Sequence, residues 1–231
     1  MAANLDGLTV VFDLDGTLVH TAPDLAAATS HALSLAGLPP VTVDELLQFV
    51  GHGSRAMIDA GLRTHGKALP EAEVNRLHEA FFEYYAANVS ALSHPYEGII
   101  DVLDRLQAGG ARLAVCTNKF ENLSKLLLTN LGLDTRFAVI AGRDTFDVFK
   151  PAPGHLTKTI LAAGGSVDRA VMVGDSEVDI ATAIAASVPS IAVTFGYTTQ
   201  PVRELGATAV IDHYREFMGA LERVLATHAK H

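Results

Sequence analysis

The sequence has one cysteine, a shortage of positive charge and no long apolar run, and each of these excludes something. Cys116 is the single cysteine, so no intramolecular disulfide is possible. It lies inside an apolar, strand-like stretch, where a buried structural thiol in a reducing compartment is expected. Seventeen basic residues face twenty-six acidic ones, a net charge of −9. That balance, with no Lys/Arg-rich segment, argues against a protein that tracks nucleic-acid phosphates. A small anionic substrate would need local positive charge to offset the global field. No apolar segment approaches the roughly 20 residues that span a bilayer. The start, Met1-Ala2-Ala3-Asn4-Leu5-Asp6-Gly7, has neither the basic nor the apolar region of a signal peptide. The expectation is a cytoplasmic protein with no membrane or nucleic-acid partner, acting as a monomer or homodimer on a small molecule.

What is present is a core. The 231 residues are 49% apolar and 19% charged, which is the composition of a folded globular chain with a sizeable interior. The most informative stretch is Leu8-Thr9-Val10-Val11-Phe12-Asp13-Leu14-Asp15-Gly16-Thr17-Leu18. Leu8 to Phe12 reads as a strand buried on both faces. It ends at two aspartates, then at Gly16, which permits a sharp exit. Carboxylates this close repel, so a cation or a shared proton must hold them together.

From about Pro23 to Ser90 the signals are helical. Pro23 suits a first helical position and Gly37 ends that helix. Thr42-Val43-Asp44-Glu45 has capping-box form and opens a short helix to Phe49. A loop, Val50-Gly51-His52-Gly53, precedes a helix to about His65. From Pro70 a long helix carries Leu77, Phe81, Tyr84 and Tyr85 as a packing stripe. After Ala91, strands alternate with helices: strands end at Cys116, Ala141, Val173, Val193 and Ile211. This pattern predicts an α/β fold, a Rossmann-like parallel sheet with helices on both faces. The expected division is a catalytic core of residues 1–18 and 92–231, with a helical cap inserted at 19–91.

Four polar groups fall just past strand ends: Asp13 with Asp15, Thr117 with Asn118, Lys150, and Asp175 with Asp179. Each has an ordinary structural explanation. Thr117-Asn118 would cap a helix, Lys150 would be solvated, and Ser176 with Asp179 has capping-box form. Together they fall on one edge of one parallel sheet, where open α/β folds bind ligands.

In order and spelling, Asp13-Leu14-Asp15-Gly16-Thr17, Thr117-Asn118, Lys150-Pro151 and Gly174-Asp175-Ser176-Glu177-Val178-Asp179 resemble the four motifs of the haloacid dehalogenase-like hydrolase superfamily. Thr117-Asn118-Lys119, Lys150-Pro151-Ala152-Pro153, Phe195-Gly196-Tyr197 and the loop Val50-Gly51-His52-Gly53 resemble its phosphoglycolate phosphatases. The resemblance implies a Mg²⁺-dependent phosphatase that hydrolyses 2-phosphoglycolate to glycolate through an aspartyl-phosphate. Asp13 would be the nucleophile and Asp15 the general acid and base. Thr117 and Lys150 would hold the phosphoryl oxygens. Asp13, the Asp15 carbonyl and Asp175 would bind Mg²⁺, with Asp179 behind them. Asn118 would touch substrate, as would Gly51, His52, Gly53 and Arg55 in the cap, where the glycines allow close approach and His52 and Arg55 add positive charge.

Asp15 argues against a dehalogenase, which needs no such acid. Lys67 is the only lysine of the inserted block, which disfavours a phosphonatase that needs a Schiff-base lysine there. A sugar phosphomutase of the same superfamily, and a phosphoacceptor signalling domain, remain as alternatives.

Overall fold

The computed structural model describes residues 5–198 and 200–228 of the chain, the side chain of His228 excepted. The first strand, β1 (Thr9–Phe12), is completely buried. Two short segments, β2 (Val19–His20) and β3 (His94–Pro95), pair with each other as a separate two-stranded sheet. Between them lie α1 (Ala22–Ser34), α2 (Val43–Leu46), α3 (Ser54–Thr64) and α4 (Glu71–Ala87). Then follow α5 (Ile99–Ala108), β4 (Arg112–Cys116), α6 (Glu121–Asn130), β5 (Val139–Ala141), α7 (Pro153–Ala162), β6 (Ala170–Gly174), α8 (Glu177–Ala185), β7 (Ser190–Val193), β8 (Ala209–Ile211) and α9 (Phe217–His228). The chain divides into two compact units, residues 1–19 with 95–231, and residues 20–94.

In the larger unit, six parallel strands form one sheet in the order β5-β4-β1-β6-β7-β8. This is the Rossmann-like α/β sheet that the alternating pattern predicts. Successive side chains of β1 point to opposite faces. Val11 joins Ala114, Cys116, Met172, Leu156 and Ile160 on the face covered by α7, while the Phe12 ring stacks on Phe217 of α9 at 6.1 Å. Cys116 is buried as expected, and burial pushes its thiol up to about 12 despite the nearby Lys150 charge. Such a thiol carries almost no nucleophilic thiolate at neutral pH.

Strand register places the chemistry. Phe12 lies opposite both Val115 of β4 and Val173 of β6. Asp13 therefore leaves the sheet level with the ends of its two neighbours, and its N–H still bonds the Val173 carbonyl at 2.9 Å. Gly16 has φ +81°, and a Cβ there would run into the Asp175 carboxylate. The turn after β1 thus requires glycine both for its backbone angle and for room.

In the smaller unit, α1 packs against α3 and α4. The Thr42 capping box is present, the Thr42 N–H donating to Glu45 Oε2 at 2.7 Å. Beyond it the structure corrects the expected helix-then-loop. Leu47–His52 is a 3₁₀ helix, so Gly51 and His52 belong to a helical turn and only Gly53 is a true connector. At Gly53 the backbone swings to φ +89° and the turn stops. Buried Asp24 accepts from the N–H of Leu92, the N–H of Ser93 and the Ser93 hydroxyl (2.6 Å), which ties the end of this unit to its first helix.

Candidate active site

The carboxyl edge of the large sheet gathers three buried aspartates, two of them on one lysine. The Lys150 ammonium lies 2.9 Å from Asp13 Oδ1 and 2.6 Å from Asp179 Oδ1. Asp175 takes a hydrogen bond from the Thr17 hydroxyl on one oxygen (2.9 Å) and from the Tyr197 N–H on the other (2.7 Å). One carboxylate oxygen from each of Asp13, Asp175 and Asp179 lies within 4.8 Å of the others.

Two carboxylates share one ammonium while Asp175 is held by the Thr17 and Tyr197 hydrogen bonds, which leaves surplus negative charge out of water. Burial, with the Asp179 charge next in importance, raises Asp13 to about 6, although Lys150 opposes this. Burial, then Asp179 and Asp13, raises Asp175 to about 8, against the bonds from Tyr197 and Thr17. Burial alone would pull the Lys150 amine down, but Asp13 and Asp179 outweigh it and hold the ammonium well above its usual range. Hard oxygen donors with excess negative charge fit a divalent cation such as Mg²⁺. Asp13 and Asp175 could each offer such an ion a carboxylate oxygen. Asp179 already has its oxygens engaged, by Lys150 on one side and by the Ser176 N–H (3.1 Å) and hydroxyl (2.6 Å) on the other. Its capping box is therefore real, and the same residue also anchors Lys150.

Asp15 stands apart from this cluster. Both its oxygens accept from the Lys119 ammonium at 3.0 Å, and at 17% exposure its side chain is more open than those of the other three. Two aspartates two residues apart thus have different electrostatic settings, as paired acid and nucleophile roles demand.

Thr117 is buried beyond β4. Its N–H donates to the Ala141 carbonyl at 3.0 Å, and its hydroxyl oxygen accepts from the Lys119 N–H at 3.2 Å. The hydroxyl proton remains available to a phosphoryl oxygen. Asn118 uses its amide on the Lys150 carbonyl, 2.9 Å away, so it shapes the lysine loop. His155 completes that loop. The Lys150 N–H donates to its Nδ1 (3.2 Å), which assigns the proton to Nε2, facing the Gly142 carbonyl at 3.1 Å. Burial, reinforced by the Lys150 charge, lowers His155 to about 4, so the ring stays neutral.

The other named candidates lie in the 20–94 unit. Gly51 and His52 are exposed on the 3₁₀ turn. The Arg55 guanidinium is held by Asn75 and Glu71, each at 2.8 Å, so its charge is already answered within the unit.

Sequence reasoning assigned no role to Thr17, Lys119, His155 or the Tyr197 N–H. Lys119 did have a signal, since it directly follows Thr117-Asn118 at an edge already crowded with carboxylates. His155 had none, because its role is apparent only from the folded loop.

A sequence model of the haloacid dehalogenase-like hydrolases matches residues 10–193. The chain belongs to this family. The phosphoglycolate phosphatase of Mesorhizobium japonicum is 48% identical over 205 residues, covering 89% of this chain and 90% of its own. That of Agrobacterium fabrum is 49% identical over 211 residues, 91% of each chain. A crystal structure of a predicted phosphoglycolate phosphatase from Haemophilus somnus superposes with a TM-score of 0.87 at 28% identity, covering 94% of this chain and 98% of that one. As a haloacid dehalogenase-like hydrolase of this kind, the protein is a phosphoric monoester hydrolase. Among the described residues, no helix is long and apolar enough to cross a membrane.

Proposed function

We propose that this hydrolase converts 2-phosphoglycolate to glycolate and phosphate, with Asp13 as nucleophile and Mg²⁺ as cofactor. The observation that carries the reading is the separation of the two aspartates: Asp13 beside Lys150 at 2.9 Å, Asp15 beside Lys119 at 3.0 Å. The names and similarity of the relatives support the substrate.

An Asp13 oxygen attacks phosphorus as the P–O bond to the alcohol breaks, giving an aspartyl-phosphate. Asp15 hands its proton to the departing alkoxide. Water then attacks the same phosphorus, gives its proton to Asp15 and returns Asp13 as a carboxylate. Lys150 and the Thr117 hydroxyl hold the phosphoryl oxygens as their charge grows. Asp13, the Asp15 carbonyl and Asp175 would hold Mg²⁺, which when bound screens the approach of one anion to another. Asp179 and His155 keep Lys150 in place.

The test is turnover of a panel of phosphate esters with Mg²⁺ present. The highest kcat/KM is expected for 2-phosphoglycolate. Isomerisation of a sugar phosphate, or stable phosphorylation of the protein without release, would replace the reading with a mutase or a phosphoacceptor domain. Asp15→Asn should lower kcat by about 10²–10⁴-fold, the usual size of a lost proton transfer. It should slow release of the alcohol, so rapid-quench mass spectra should show less phosphoprotein rather than more. A wild-type burst in this variant would remove Asp15 from the first step.

The 20–94 unit is proposed to act as a cap whose 51–53 turn selects the leaving group. Gly51→Ala tests this cleanly. A Cβ at Gly51 meets nothing within 4 Å and needs no unusual backbone angle, whereas Gly53 sits at φ +89°. Any loss at Gly51 therefore reports on substrate approach rather than on folding. Turnover of 2-phosphoglycolate should fall several-fold more than that of a bulky aryl phosphate. Unchanged turnover of both would take the turn out of substrate selection.

A further inference from the structure

Lys119 is a buried cation to which the mechanism so far gives no task. Its side chain is 6% exposed, and its ammonium spans both oxygens of Asp15 at 3.0 Å. Burying a lysine is costly unless its charge is used. Its backbone is fixed from two sides: its N–H bonds the Thr117 hydroxyl oxygen, and its carbonyl accepts from the Arg143 N–H at 3.0 Å. The Arg143 guanidinium is itself held between Phe120 and Phe149, 5.4 and 5.0 Å from the ring centres. The segment carrying Lys119 is thus pinned before any ligand arrives, which suits a group that must meet a ligand at a fixed point.

We propose that Lys119 determines specificity by binding the carboxylate of the leaving alcohol. The inference rests on the reading of Asp15 as the acid that protonates that alcohol. An acid within hydrogen-bond reach of the ester oxygen stands about 2.7 Å from it, and the Lys119 ammonium is 3.0 Å from either oxygen of that acid. In a 2-phospho-acid the carboxylate carbon is only two bonds from the ester oxygen, so the carboxylate falls beside the ammonium without rearrangement. A substrate carboxylate there meets the positive charge of the ammonium directly, and a neutral alcohol offers it no charge to meet. Of the charged side chains described at this edge, Asp13, Asp15, Asp175 and Asp179 are acidic, Lys150 belongs to the phosphoryl group, and the Arg143 guanidinium lies against Phe120 and Phe149. Discrimination by charge therefore falls to Lys119 within the large unit.

The experiment measures kcat/KM for 2-phosphoglycolate, ethyl phosphate and phosphoethanolamine in wild type, Lys119→Met and Lys119→Arg. Wild type should prefer the anionic leaving group and reject the cationic one most strongly. Lys119→Met should lose activity on all three, because Asp15 loses its partner. On 2-phosphoglycolate the loss should be a further 10- to 100-fold, about the value of one charge-assisted hydrogen bond. Lys119→Arg should keep most of the preference. Lys119→Gln gives the same comparison if the methionine variant melts early. Equal losses on all three esters would overturn the inference, leaving Lys119 as a support for Asp15 only. If wild type itself shows no preference for 2-phosphoglycolate, the substrate reading fails before any substitution, and the inference fails with it.

Discussion

Asp13→Asn is expected to abolish turnover, a fall of more than about 10⁴-fold, and to abolish the phosphoenzyme with it. An amide oxygen is a poor nucleophile and a poorer ligand for a hard cation than a carboxylate, so two functions go together. The fold gives this variant an uncommon control. Asp13 is one of two carboxylates on a single ammonium, with the Asp175 carboxylate close by, and burial with the Asp179 charge already pushes it up to about 6. Neutralising it relieves repulsion, while Lys150 keeps Asp179 at 2.6 Å. The metal-free variant should therefore melt no lower than the metal-free wild type, and loss of activity cannot be blamed on loss of structure. Acid-quenched wild-type protein should carry one phosphoryl group during turnover, and the variant none. Wild-type rates in Asp13→Asn would mean that the nucleophile has been misassigned.

The positions of these groups were largely legible before the fold was seen, and the reason is topological. A strand buried on both faces must be apolar throughout, so a run such as Val10-Val11-Phe12 announces itself. The first polar residues after it must lie at the sheet's carboxyl edge. Parallel pairing brings all such edges to one side, which is why Asp13, Thr117, Lys150 and Asp175 come together although far apart in sequence.

What stayed hidden is which side chain turns toward which. Lys119 meets Asp15 across 104 positions and Thr17 meets Asp175 across 158, and no local pattern encodes such pairs. The tight turn at Leu47–His52 was missed for a different reason. Two glycines flanking a histidine read as a loop, but Gly51 adopts the turn and only Gly53 breaks it. Asp24 drew no reading at all, although its carboxylate closes the helical unit on Leu92 and Ser93 across 68 and 69 positions.

Removal of divalent metal should abolish activity completely, and added Mg²⁺ should restore it. The same cluster predicts how stability responds. In metal-free protein, Asp13 titrates at about 6 and Asp175 at about 8, against an ordinary value of 3.8. Between roughly pH 4 and 8 the folded state therefore holds more protons than the unfolded chain. By linkage, the stability these two groups contribute is full below their ordinary range and is lost as pH rises through 6 and then 8. A cation binds the deprotonated carboxylates, so its affinity rises across the same window. The increase in Tm on adding Mg²⁺ should accordingly be small at pH 5, grow through pH 8 and then level off, with Lys150 moderating its size. Thermal melts with chelator or with Mg²⁺ at each pH provide the measurement. A pH-independent increment would separate the metal from Asp13 and Asp175, and full activity after exhaustive chelation would remove the metal from the reaction.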